Sequence, residues 1–567
     1  MLVILDNAGV RQVFQAPKAV IRADTAAQVP GALAALEAAR GAWLAGAFSY
    51  ELGYALEPRL APLLPAAPGG PLILFGVYDA PSGEAPLPPG RAYAGPLIPE
   101  WDEAAYGRRF QAVKEAIAAG DIYQANLSFR ARFAFAGNPC ALYEQLRSAA
   151  RAPHCAFLDH DGRQIVSLSP ELFFEIKGGV IRARPMKGTA KRGGGDDRAE
   201  RAALAASAKD RAENLMIVDL IRNDLGRVAV LGSVAVSDMF AVETYPALHT
   251  MVSTVTANLR PGCTIADIVR ALFPCGSVTG APKIRAMEIL RALETSPRGA
   301  YCGAIGCFAP ATEKESATAR FNVAIRTLTI SGNSGTLGIG GGVVQDSGLE
   351  AEYAECLLKA RFFDAARRPL ELIETLRWEK DFVRLDRHLA RMDASARLFG
   401  LRFDESTARD ELAGAVAKEV VSQPLRVRLS LDENGAHRAV AAPLAANPPH
   451  WSYVLSPERV DSGDLLLRHK TSSRQMYEQE AARHPGDEVI FCNERGELTE
   501  GARSNIFVRR GDTLLTPPVS AGLLPGILRA ELLENGKCVE AILSEADLDG
   551  EVYLGNSLRG LILAKRI

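Results

Sequence analysis

A chain of 567 residues is about three or four domain-sized units long at roughly 150 residues each, which excludes a single small module. Its 48% hydrophobic and 23% charged residues are those of packed globular protein and exclude disorder as the main state. The 65 Lys and Arg against 67 Asp and Glu exclude an overall basic field for nucleic acid or an anionic membrane, and leave small-molecule chemistry as the expectation.

The N-terminal run MLVILDNAGVRQVF is apolar only before Asp6 and lacks a basic flank and a small-residue cleavage site, so it does not read as a secretion signal. The Ala-rich stretch Leu33 to Ala47 is interrupted by Glu37 and Arg40, and nothing reaches the roughly 18 apolar residues of a membrane span. A soluble, cytoplasmic protein is expected. The nine Cys, scattered without a CxxC pair, fit a reducing compartment and structural roles.

The Pro-rich segment between Pro58 and Pro99 reads as strands and loops of the unit that follows, because GAFSYELGYAL is too apolar for a linker. From Trp101 to about Asp364, strand-like runs (IVSLS, LFFEI, TLTI, TLGIG) alternate with amphipathic helices without the spacing of a doubly wound sheet, which predicts a large α+β domain. A helix over about Ala203 to Val228 places Asp210 and Glu213 on one face, with Leu215, Val218 and Ile221 as its apolar stripe. A later helix, EAEYAECLLKA, puts Glu352, Glu355 and Lys359 on one face. These are either solvated helix faces or, if they converge, four carboxylates that need a divalent cation such as Mg²⁺. The charged, Pro-ended stretch 365–369 marks a linker between a domain at 1–364 and one at 370–567. The latter reads as a small αβ piece to about Leu444, a Pro-Pro linker at Pro448, and a larger piece with strands VIFCN, NIFVRR and VYLGN.

Seven ordered blocks carry the chemistry of the first domain: SPELFFE, RPMKGTAKR, KDRAENLMIVDLIRNDLGRV, VETYPALHTMVSTV, FPCGSVTGAPKIRAME, FNVAIRT and GIGGGVVQDSGLEAEYAE. Together they resemble the chorismate-utilising enzymes, which implies a large α/β sandwich. In that family PxAGT marks anthranilate synthases and PxKGT marks the enzymes that aminate chorismate at C4; here the residue is Lys187, in PMKGT. The resemblance implies that Lys187 adds to C2 as the C4 hydroxyl leaves, and that ammonia then attacks C4. Such a lysine must be desolvated or lie near other cations, since an ordinary one, with a pKa of about 10.4, is protonated; Lys191 and Arg192 are near in sequence. Glu171 matches the general acid, and Asp210, Glu213, Glu352 and Glu355 match the Mg²⁺ shell. Thr279, Tyr301, Arg326 and the amides of Gly340, Gly341 and Gly342 match the groups that hold the substrate. His249 is either a substrate-orienting residue or a satisfied core histidine, and Lys283 an equally good salt-bridge partner. None of the Cys sits in a G-x-C-x-G nucleophile turn, so the resemblance implies ammonia from a separate glutamine amidotransferase subunit.

The second domain carries LIETLRW, RLDRHLARMDASARLFG, LLRHKTSSRQMYEQEA, LTEGARSNIFV, LLPGILRAELL and YLGNSLRG. These resemble the class IV pyridoxal phosphate enzymes, which implies a small and a larger αβ subdomain and a homodimer as one arrangement. Lys470 matches the cofactor lysine, Glu500 the acid facing the pyridine nitrogen, and Arg391 the phosphate arginine. The amides of Ile527 and Leu528 at a helix start, with Asn556 and Ser557, match the remaining phosphate contacts. NSLRG is closer to the lyases than to the aminotransferases, with Arg559 as a substrate carboxylate contact. The family's initial strands, before ETLR, are missing, so the small subdomain is either trimmed or completed by neighbouring chain. Two resemblances in succession imply p-aminobenzoate synthesis from chorismate and ammonia with Mg²⁺ and pyridoxal phosphate. The alternatives are an anthranilate synthase-like subunit joined to an aminotransferase, opposed by Lys187, and a non-catalytic glutaminase-binding scaffold.

Overall fold

The computed structural model describes residues 1–567 except 8, 83–89, 192–195, 245–247, 314 and 420–422. Arg192, expected near Lys187, lies outside the described residues, as does the side chain of Lys191. Two compact units are present. The first comprises Met1–Leu87, Leu97–Arg132 and Tyr143–Ala366, and the second Pro88–Pro96, Phe133–Leu142 and Arg367–Ile567. A single cut in the linker therefore does not describe them: the second unit draws in two earlier stretches of chain.

The first unit is built on two large sheets. One runs in the order Gly280–Ala281, Gln124–Gly137, Ser334–Val343, Thr327–Ser331, Arg163–Ser169, His154–His160, Leu2–Asn7, Val10–Phe14. The other runs Met186–Lys191, Leu248–Asn258, Val180–Ala183, Leu172–Lys177, Thr318–Val323, Ala304–Ala309, Trp43–Phe48, Ile73–Tyr78, Ala19–Ala23. Val3, Leu5, Phe14 and Leu158 of the first sheet join Ala45, Leu74 and Ile305 of the second in one buried cluster, which makes the unit a sandwich.

The predicted helix over 203–228 is two helices, Asp197–Ala206 and Ala208–Gly226. Ser207 breaks it: its backbone is extended (φ −63°, ψ 111°) and its hydroxyl accepts from the Asp210 N–H at 3.2 Å, an N-cap. Of the expected apolar stripe, Val218 and Ile221 enter the core and Leu215 does not. Leu215 is 43% exposed, and Ile217, Val218, Ile221 and Leu225 enter the core. Ile217 and Leu225 follow helical spacing with Val218 and Ile221 as well as Leu215 does, and only the packing partner decides which edge of the stripe is buried.

In the second unit a small sheet (Asp381–Phe382, Leu372–Glu379, Leu425–Leu431, His437–Pro443) is joined by helices Leu385–Phe399 and Glu405–Ala417. Leu425, Val427, Leu429 and Leu431 alternate inward with exposed arginines, the period of a one-faced strand. Their core includes Tyr93 and Ala136 from the earlier stretches. An eight-stranded sheet follows, from Leu498–Gly501 to Cys538–Glu540, with Glu488–Asn493, Asn505–Arg510 and Val552–Asn556 among its strands. Eight of the nine cysteines are buried, as expected of structural thiols. Among the described residues, no helix is long and apolar enough to cross a membrane.

Candidate active sites

In the first unit, strand Met186–Lys191 and strand Ser334–Val343 bring Lys187 to the glycine run. A Cβ on Gly342 would lie 3.1 Å from Lys187 Nζ and 2.5 Å from Gln124 Nε2. One on Gly341 would lie 3.4 Å from Glu352 Oε2. Glycine leaves that space open for the lysine and for a ligand. Gly340 serves a different purpose, since a Cβ there would meet Leu127 O at 2.6 Å and Ser128 Oγ at 2.5 Å; its carbonyl accepts from Lys359 Nζ at 3.1 Å.

Burial lowers the pKa of Lys187 and Lys359 adds to this, against the opposing pull of Glu213, Glu171 and Glu355. The ammonium thus loses stability mainly by desolvation, the first of the two causes expected. The carboxyl of Glu171 is 4% exposed and its Oε1 has no partner. Burial pushes it up to about 7, against Ser277, Lys187 and the Met186 backbone.

The acidic groups of the two helices lie within electrostatic reach of one another, although among the described residues the one group that brings three metal-capable ligand atoms within 4.8 Å is Asp197, Glu200 and His249. Glu213 is raised by burial, with Lys187 and Lys209 opposing and Asp210 and Glu352 adding to the rise. Glu355 is ion-paired to Lys359 at 2.8 Å. Burial opposes its ionisation, but Lys359, Lys187 and Lys209 outweigh that and its pKa falls. Glu352 Oε1 accepts from the Ser347 hydroxyl at 2.7 Å. Asp210 stands against Gly188, where a Cβ would approach its Oδ1 to 2.9 Å. These oxygens suit a hard divalent cation, whose charge would offset their mutual repulsion.

Among the substrate-holding residues, Arg326 has a lowered pKa with burial as its cause and no carboxylate contributing. A desolvated guanidinium of this kind suits an anionic ligand. Tyr301 packs under Gly338, where a Cβ would meet its ring at 2.1 Å, and burial keeps its hydroxyl protonated. Thr279 departs from expectation. Its hydroxyl is directed to the carbonyls of Cys275 and Gly276, both at 3.2 Å, so its proton faces the backbone and not a carboxylate. His249 is 1% exposed, with Nδ1 3.0 Å from Thr244 Oγ1 and Nε2 3.7 Å from Asp197 Oδ1. Lys283 is the salt-bridge partner, to buried Asp224 at 2.6 Å.

In the second unit the loop after Leu465–Arg468 presents Lys470. Burial lowers its pKa to about 8, with Arg391 and Arg474 adding to the fall and Glu374 and Glu500 opposing it. Glu500 Oε2 accepts from the Leu524 N–H at 3.2 Å, whereas Oε1 is buried without a partner. Burial raises this carboxyl to about 7. An orphaned carboxylate oxygen near a depressed lysine fits the pyridine nitrogen of pyridoxal phosphate. The helix Ile527–Glu534 begins at Gly526 with no side-chain cap, so the amides of Ile527 and Leu528 suit a phosphate.

The remaining residues are arranged differently from the sequence reading. Arg391 is gripped by Glu374, with Nε to Oε1 at 2.8 Å and Nη2 to Oε2 at 2.7 Å, and Nη1 donates to Pro525 O at 3.1 Å. Its remaining N–H bonds are what it can offer a phosphate. His388 links the same Glu374 (2.6 Å) to the Ser557 hydroxyl (2.9 Å). Asn556 shapes its own turn, accepting from the amides of Leu558 and Arg559. Arg559 is bound to Ala445 O and Asn447 Oδ1, both at 3.1 Å, rather than free for a substrate. Glu374 and His388 were not singled out from the sequence. The signal was a carboxylate inside the apolar run LIETLRW, a residue type rarely buried without a partner.

Comparison with known proteins matches two families in succession along the chain. The family model of chorismate binding enzymes matches residues 4–365, and that of class IV amino-transferases matches residues 371–567. The aminodeoxychorismate synthase component 1 of Salmonella typhimurium is 46% identical over 272 residues, 47% of this chain and 57% of that protein. An anthranilate synthase component 1 of Haloarcula marismortui is 42% identical over 259 residues, 45% of this chain and 52% of that protein. The chain thus spans little more than half the length of these relatives. The anthranilate synthase component I structure from Streptococcus pneumoniae superposes with a TM-score of 0.52 at 25% identity, over 64% of this chain and 89% of that one. The chain therefore belongs to the chorismate binding enzymes, with a class IV amino-transferase domain after it.

Proposed function

We propose that the chain performs two successive reactions: chorismate and ammonia give 4-amino-4-deoxychorismate in the first unit, and pyruvate is eliminated in the second to leave p-aminobenzoate. The observation that carries the reading is Lys187 Nζ, desolvated beside Gly342. In PxAGT relatives an alanine in this place offers no nucleophile.

Desolvation favours the neutral amine of Lys187, which forms a bond to C2 of chorismate while the double bond shifts and the C4–O bond breaks. Glu171, still protonated up to about pH 7, gives its proton to the departing hydroxyl, which leaves as water. Ammonia then bonds to C4, the double bond shifts back, and Lys187 is released. Arg326 and Tyr301 hold the carboxylates. Asp210, Glu213, Glu352 and Glu355 would hold Mg²⁺, which when bound neutralises them and fixes the ring carboxylate. A separate glutaminase subunit supplies the ammonia.

In the second unit, Lys470, Glu500, Arg391 and the amides of Ile527 and Leu528 would hold pyridoxal phosphate, which supplies an electron sink for the carbon bearing the amine. Lys470, with its pKa near 8, removes the C4 proton of aminodeoxychorismate as the enolpyruvyl group departs and the ring becomes aromatic. Glu500 holds the proton opposite the pyridine nitrogen.

Complementation of two variants tests the assignment. Lys187→Ala should make nothing from chorismate but convert supplied aminodeoxychorismate, and Lys470→Ala should accumulate aminodeoxychorismate. Their mixture should make p-aminobenzoate. A mixture that stops at the intermediate, with the Lys187 variant still carrying its cofactor, would sink the second assignment.

A further inference from the structure

We infer that Arg91, which precedes the second domain by nearly three hundred residues, is a positioning residue for the Lys470 site. The inference rests on the reading of Lys470 as the cofactor lysine. Arg91 belongs to the second unit, and its guanidinium spans the loop that presents Lys470. Nε donates to Asp464 Oδ2 at 2.5 Å, and Nη1 donates to the carbonyl (2.7 Å) and the hydroxyl (3.1 Å) of Ser473. Asp464 opens the turn Leu465–Arg468, its Oδ1 accepting from the Leu466 N–H at 2.9 Å. One side chain thus ties together the two ends of a loop with Lys470 between them. Strand Leu372–Glu379 and its entry hold the middle: the Lys470 carbonyl accepts from the Ile373 N–H and Glu371 O accepts from the Ser472 N–H, both at 2.8 Å.

The neighbouring chain supports the same loop by packing. Tyr93 follows Arg91 by two residues, in strand Ala92–Ala94. Its ring meets Phe399 edge-on at 5.1 Å, and Phe399 meets His469 edge-on at 5.1 Å, directly before Lys470. Arg91 is itself held by a short hairpin, in which Ala92, Tyr93 and Ala94 pair with Gly137, Ala136 and Phe135 and the Arg91 carbonyl accepts from Asn138 N–H at 2.9 Å. The side chain of Asp464 is 7% exposed. A carboxylate so buried depends on its cation, because losing one partner of a buried pair leaves the other uncompensated. The strands missing before ETLR are replaced, at least around Lys470, by residues from the first half of the sequence.

The test uses the full-length protein as Arg91→Ala, Arg91→Lys and Asp464→Asn. Three quantities are measured: pyridoxal phosphate affinity, hydrogen exchange of residues 464–474 without cofactor, and chorismate amination as a control. Loss of a charge-assisted clamp predicts about tenfold weaker cofactor binding and about tenfold faster exchange in Arg91→Ala. Arg91→Lys should restore part of both, because lysine reaches Asp464 without forking to Ser473. Amination should be unchanged. Wild-type affinity and exchange in Arg91→Ala would overturn the inference. If that variant loses amination as well and is misfolded, Asp464→Asn decides, and wild-type values there overturn it equally. The underlying reading is checked separately by borohydride reduction of the wild-type protein with cofactor. A label absent from Lys470 would reject that reading, whereas a label on Lys470 with indifferent Arg91 variants would reject only the clamp.

Discussion

Replacing Glu171 by Gln separates what this carboxyl does for the reaction from what it does to stability. Burial lifts it from 4.5 to about 7, which at about 1.4 kcal/mol per pH unit disfavours the ionised form in the folded protein by roughly 3 kcal/mol. In the unfolded chain the proton leaves near 4.5, and in the folded one only near 7. The folded state therefore binds more protons across that window, and stability falls as pH rises through it. Glutamine cannot ionise. Glu171→Gln should match the wild type below about pH 4.5 and exceed it by as much as about 3 kcal/mol above about pH 7. Urea unfolding at about pH 5 and about pH 8, followed by tryptophan fluorescence, reads this difference. The same variant should bind chorismate yet aminate it about a hundredfold or more slowly, the loss typical of a missing general acid. A variant that aminates normally, or that is no more stable than the wild type at about pH 8, refutes the reasoning from burial.

Two further outcomes follow from the charges of the two sites. Removing Mg²⁺, or making Glu213→Gln, should abolish amination and leave elimination from supplied aminodeoxychorismate untouched; a chelator that stops both reactions equally would refute the assignment of the acidic helices. For Glu374, burial opposes ionisation, but Arg391 and His388 outweigh it and hold the carboxyl at about 2, so it contributes stability above about pH 4.5 that is lost as pH falls toward about 2. Glu374→Gln should cost about 3 kcal/mol near neutral pH, read as faster hydrogen exchange across Leu372–Glu379, with the difference from wild type shrinking in acid; protection unchanged at neutral pH would contradict the pairing.

The two family resemblances in succession were legible in the sequence because the motifs that carry them are local. PMKGT and HKTSS are short runs, and helical spacing alone puts Glu352 and Glu355 on one face. Tertiary structure alone decided which face of a helix enters the core. Leu215 fits the helical spacing of Val218 and Ile221 as well as Ile217 and Leu225 do, but Leu215 is exposed while the other four meet partners in the core. It also decided the ionisation of the site groups, since the rise at Glu171 and the falls at Lys187 and Lys470 come mainly from lost solvent, which no spacing records. Thr279 and Arg559 matched expected positions, yet their donors are turned to acceptors that folding brings beside them: the buried Thr279 hydroxyl to the carbonyls of Cys275 and Gly276, and the half-buried Arg559 guanidinium to Ala445 O and Asn447 Oδ1. Arg91 is the extreme case. Its partners, Asp464 and Ser473, are 373 and 382 residues away along the chain, and a contact of that separation exists only once the second unit, to which all three belong, has folded.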